Sequence, residues 1–104
     1  RVGQTARNFT YPAPDVAVLS VKHSISGDLS SVRRNGVIRI DGIDDKGAGN
    51  FGNYPLFIGR RAGTSLPFNG HLYSLIGIGR LTSDSETIAL EKAIAKNTGV
   101  TLNV

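Results

Sequence analysis

A chain of 104 residues with 39% hydrophobic and 19% charged residues has the make-up of one compact folded unit, which argues against disorder and against two domains. It contains no cysteine, so a disulfide framework and a thiolate metal site are excluded, and no apolar run reaches membrane-spanning length. A formal net charge of +4 and a pI near 9.9 suit an anionic partner, whether nucleic acid, a membrane surface or an acidic polysaccharide.

The 13 glycines favour tight turns between short strands, so an all-β chain is the starting expectation. The sequence opens on Arg1 and has no methionine, which suggests a piece or a processed product of a longer translation product. Residues 1–14 read as an extended lead-in, because Pro12 and Pro14 keep the backbone out of helix. Asn8-Phe9-Thr10 fits the N-glycosylation acceptor pattern, a tripeptide that also arises by chance.

From 15 to 26 the residues alternate, with Ala17, Leu19, Val21, His23 and Ile25 on one face and Val18, Ser20, Lys22 and Ser24 on the other, a half-buried strand. Ser26-Gly27-Asp28 supplies a turn. Two further strands, 30–34 and 37–41, flank Asn35-Gly36, the strongest short-range hairpin signal, because both central residues of a type I′ turn need positive φ. Residues 42–53, with four glycines, mark a surface loop. Residues 54–61 and 68–80 read as two more strands around a turn at 62–67, and in the second Phe68, Gly70, Leu72, Ile76 and Ile78 share a core face opposite His71 and Tyr73.

A helix closes the chain. Ser83 and Glu86 form a capping box, Thr87, Leu90, Ala93 and Ile94 recur at helical spacing, and Gly99 is the left-handed stop. Lys92 and Lys96 complement the helix dipole.

The order of a strand through Tyr54-Pro55-Leu56-Phe57-Ile58-Gly59-Arg60-Arg61, a strand through Phe68-Asn69-Gly70-His71-Leu72-Tyr73 and a capped helix resembles the closing part of concanavalin A-like, laminin-G-type jelly rolls of the kind found in phage tail and virion surface proteins. Asn35-Gly36 matches that family's hairpin turn, although the usual aromatic before it is replaced by arginine. The resemblance implies an all-β antiparallel sandwich of about five strands plus one C-terminal helix, with 15–104 as its C-terminal part. It also implies that another segment of the same virion protein, or neighbouring copies, completes the sheets, since a bare face and open edges invite aggregation.

Glycoside hydrolysis needs two carboxyl groups flanking the scissile bond, yet the two glutamates, Glu86 and Glu91, both fall on the helix, so this chain reads as non-catalytic. Asp41, Asp44 and Asp45 are a weak calcium candidate without EF-hand spacing, outweighed by a solvated acidic turn; no other cofactor is expected. Gly77-Ile78-Gly79 lacks the third glycine and the helix of a dinucleotide loop, and His23 and His71 have no third zinc ligand. Arg34, Arg60 and Arg61, with Tyr54, His71 and Tyr73, form the candidate glycan site, because aromatic rings pack on sugar faces and guanidinium forks hold carboxylates or sulfates. Solvated strand arginines that discourage edge pairing are the plain alternative. Nucleic acid fits poorly, lacking an interleaved aromatic and basic platform, and membrane insertion is not expected. The functional expectation is therefore a glycan- or receptor-binding module of a virion surface protein, at the virion surface or extracellular, recognising an acidic cell-surface glycan. Its rivals are a structural module that caps or decorates a virion, and a binding domain attached to a glycan-degrading enzyme.

Overall fold

A computed structural model describes residues 10–104; Asn8 and Phe9 of the Asn8-Phe9-Thr10 tripeptide and most of the 1–14 lead-in lie outside them. Three antiparallel strands, β1 (Leu19–Ser24), β2 (Leu29–Arg34) and β3 (Val37–Gly42), form one sheet in the order β1-β2-β3. The β1–β2 turn is closed by Asp28 N–H donating to the Ile25 carbonyl at 3.1 Å and Gly27 N–H to Ser24 Oγ at 3.0 Å. The β2–β3 turn is the expected one, with φ of 50° at Asn35 and 84° at Gly36. Asn35 also ties in both flanks. Its Oδ1 accepts from Val18 N–H at 2.9 Å and its carbonyl from Asn103 N–H at 2.8 Å, which anchors the chain's last residues beside the hairpin.

The helix α1 (Asp84–Thr98) carries the caps read from the sequence. Ser83 Oγ accepts from Glu86 N–H, Glu86 Oε2 accepts from Ser83 N–H, and Gly99 sits at φ 72° with its N–H donating to the Ala95 carbonyl. The buried stripe of α1 is Thr87, Glu91 and Ala95, spaced four apart. Ala93, expected on the docking face, is exposed, while Leu90 and Ile94 are half-buried. α1 packs on β1, against the face that carries Ser20 and Lys22. As a result the apolar side of β1 points away from the helix, and Leu19 and Val21 are more than half exposed.

The all-β jelly roll is not what forms. One three-stranded sheet and one helix make a small α+β unit, because residues 54–61 and 68–80 contain no strand. Among the described residues the alternation in 68–80 has no neighbouring strand to pair with; Gly70, Gly77 and Gly79 weaken an unpaired strand further. In 54–67 positive φ at Gly59, Ala62, Gly63 and Leu66 turns the chain back on itself, leaving only a tight loop in which Phe68 N–H donates to the Gly59 carbonyl at 2.7 Å and Arg61 pairs with Ser65. Leu72, Ile76 and Ile78, expected in a core, are exposed. No helix among the described residues is long and apolar enough to cross a membrane.

Candidate functional site

The deepest chemistry joins α1 to the sheet. The Glu91 carboxylate, 2% exposed, accepts from Ser20 Oγ at 2.5 Å, Arg33 Nε at 2.7 Å and Arg33 Nη2 at 3.1 Å. Ser20 and Arg33 are cross-strand partners, so the sheet register itself builds the two-sided clamp. Arg33 Nη2 also donates to the Gly36 carbonyl at 2.8 Å, and the hydrogen bond to Glu91 raises the guanidinium pKa further. A second pair, Lys22 Nζ with Asp84 Oδ1 at 2.7 Å, holds the first turn of α1 and lowers the Asp84 carboxyl. With every oxygen of Glu91 engaged by sheet residues, this cluster is a latch between elements and is poorly suited to proton transfer. Beside it an open cleft of about 740 Å³ runs between β1, α1 and the extended residues 74–82, with Phe51, Leu75, Ile78, Leu90 and Ile94 among its walls.

The sequence-predicted glycan residues separate into two places. Arg34 belongs to a structural cluster: its Nη2 and Nε reach Asp15 Oδ1 and Oδ2 at 2.5 and 3.1 Å, and its guanidinium lies 3.8 Å from the centroid of Tyr11. The Asp15 hydrogen bonds raise the Arg34 pKa. Arg39 approaches the same ring at 5.4 Å, having been pushed out by the bulge in the β2–β3 register at Val32/Arg33. Tyr54, Arg60, Arg61, His71 and Tyr73 are all exposed on the irregular segment. His71 and Tyr73 stack at 6.1 Å between centroids, as residues two apart on an extended chain can. Arg60 reaches only the Gly63 carbonyl, at 3.3 Å, and the Arg61 side chain has no hydrogen-bond or ion-pair partner among the described residues. Both cations are presented to solvent.

Asp41, Asp44 and Asp45 do not converge on a cation site. Asp45 Oδ1 accepts from Gly47 N–H at 2.8 Å, and the Lys46 ammonium, on a side chain only 1% exposed, donates to the Asp44 carbonyl at 3.0 Å. A buried lysine at the centre of the turn opposes a divalent cation there. Among the described residues no group of three or more His, Asp or Glu is arranged to hold a metal. Asp28 Oδ1 accepts from Lys46 N–H at 2.9 Å, which folds the loop back over the β1–β2 turn. Nearby, His23 pairs with Ser30 Oγ at 3.1 Å; burial above all lowers its pKa, and the Lys46 charge adds to this.

Sequence reasoning passed over Lys46 and Tyr11, and weighed Glu91 only as a catalytic carboxylate. Glu91 had one readable signal: it stands four residues from both Thr87 and Ala95, a charge on a stripe of small residues. No family model matches the chain, and no curated protein or solved structure is significantly similar to it.

Proposed function

We propose that this chain is a non-catalytic recognition module, in which the sheet and α1 act as scaffold and residues 50–81 form the contact surface for an acidic partner on a cell surface. The observation that carries this reading is compositional and geometric together. Residues 50–81 contain Arg60, Arg61 and Arg80 and no aspartate or glutamate, and among the described residues all but Arg80 of those cations lack a carboxylate partner. In the same stretch Tyr54 is 85% exposed and Tyr73 is exposed beside His71. Aromatic faces and free guanidinium forks suit an acidic glycan, the first ligand to test. Support for a non-catalytic role comes from the carboxylates themselves: Glu86 caps α1 and pairs with Arg80, and Glu91 is clamped by Arg33 and Ser20. The virion setting rests on the sequence resemblance alone.

A glycan array probed with the chain and with Arg60→Ala and Tyr73→Ala tests the reading. Binding to sulfated or carboxylated glycans that both changes weaken is the expected result; binding indifferent to both changes contradicts it. A structural role in a virion assembly is the second reading, favoured by the aliphatic residues of the same segment, which exceed what a sugar site uses.

A further inference from the structure

Resting on the recognition reading above, we infer that the loop 56–68 seats on an anionic lipid surface, so that the partner includes the headgroup layer of a bilayer. Three observations meet in this loop. Its backbone is closed on itself: Phe68 N–H donates to the Gly59 carbonyl at 2.7 Å, Arg61 N–H to the Ser65 carbonyl at 2.8 Å, and Ser65 N–H to the Arg61 carbonyl at 3.2 Å. Its side chains are apolar and outward, with Leu56 83% and Leu66 72% exposed and Phe57, Ile58 and Phe68 at least half exposed. Beside its tip stand Arg60 and Arg61, without a carboxylate partner among the described residues, and no acidic residue lies between Asp45 and Asp84.

A sugar gives the aromatic rings a partner but leaves Leu56 and Leu66 in water. An acidic protein groove would accept both chemistries, yet a bilayer interface with anionic headgroups needs no shape complement from an irregular loop. Arginine and aromatic side chains belong at that depth, where aliphatic groups reach the acyl boundary and guanidinium groups stay with phosphate. The open backbone of 69–80 keeps the contact shallow, since unpaired amides do not enter hydrocarbon. This is adsorption by side chains and does not require a spanning segment.

The test is co-sedimentation of the whole chain with vesicles of phosphatidylcholine alone and with vesicles carrying about a third phosphatidylserine. Partitioning should favour the anionic vesicles and collapse between about 0.15 and 1 M salt as screening shortens from roughly 8 to 3 Å. Each arginine near such a surface contributes about a fivefold gain, so R60A/R61A should bind roughly 25-fold more weakly. Leu66→Ser should lose roughly tenfold on either vesicle. The salt titration needs no variant, so it stands even where a substitution perturbs folding. Equal partitioning onto neutral and anionic vesicles overturns the inference. Binding to acidic glycans or cells without vesicle binding overturns it too, while leaving the recognition reading intact; loss of all three overturns both. Self-association of the chain abolished by Leu66→Ser, with no vesicle binding, assigns the loop to a second copy and also overturns it.

Discussion

Replacing Arg33 with methionine keeps most of the side-chain bulk and removes the guanidinium, which leaves the Glu91 carboxylate, 2% exposed, with Ser20 Oγ as its remaining partner. Stripping one member from a buried ion pair costs about 3–5 kcal/mol, because the other charge stays desolvated and uncompensated. The Gly36 carbonyl, in a half-buried turn, also loses its 2.8 Å hydrogen bond. For a domain whose total stability is of the order of 5–15 kcal/mol, Arg33→Met should therefore remove about a fifth or more, and lower Tm by at least about 12 °C. Arg33→Met with Glu91→Leu should recover nearly all of it, because an apolar pair of similar volume carries no desolvation penalty; Ser20 Oγ, half-buried, turns to water. Urea unfolding of the four proteins gives the coupling energy directly. Independent sites would add to within about 0.5 kcal/mol. A single variant within about 1 kcal/mol of wild type, or a double variant as unstable as the sum of the singles, would refute the latch.

Three further outcomes follow from local geometry. Ser83→Ala removes the cap from α1 and should cost about 1 kcal/mol in urea unfolding. Gly36→Ala should destabilise by at least about 1–2 kcal/mol, since φ is +84° and a Cβ would stand 2.3 Å from Val104 Cγ1, whereas Gly77→Ala, with nothing within 4 Å, should leave the fold intact. Arg80, and after it the Ser83 backbone N–H, hold Glu86 at about 2, below its ordinary 4.5. A depressed folded value stabilises above the unfolded pKa and is lost as pH falls, so helical circular dichroism should decline from about pH 4.5 towards 2, and Arg80→Gln should reduce that dependence.

What the sequence disclosed was whatever the chain satisfies within a few residues. Asn35-Gly36 closes its hairpin because its own two φ values permit it, and Ser83, Glu86 and Gly99 end their helix by bonding to their own turns. The strand pattern of 68–80 was as clear, yet a strand exists only through a partner, and none adjoins it among the described residues; the same alternation then leaves Leu72, Ile76 and Ile78 in solvent. Likewise Leu19 and Val21 looked like the inner face of β1, but the docking of α1 chose the other face, because Arg33, Ser20 and Lys22 there meet Glu91 and Asp84. Arg34 and Arg60 were indistinguishable in sequence. Only the distant Asp15 and Tyr11 make the first a structural residue and leave the second free for a ligand.

The claim on which the rest depends is that a sheet and helix form a scaffold while residues 50–81 are presented outside it. Amide hydrogen exchange of the free chain, resolved by residue, measures this most directly. Strong protection should be confined to β1, β2, β3 and α1, with residues 69–80 exchanging at unprotected rates, since their amides make no backbone hydrogen bond among the described residues. Protection across both 54–61 and 68–80 comparable to that of β2 would mean that these segments pair as strands, and would contradict the account.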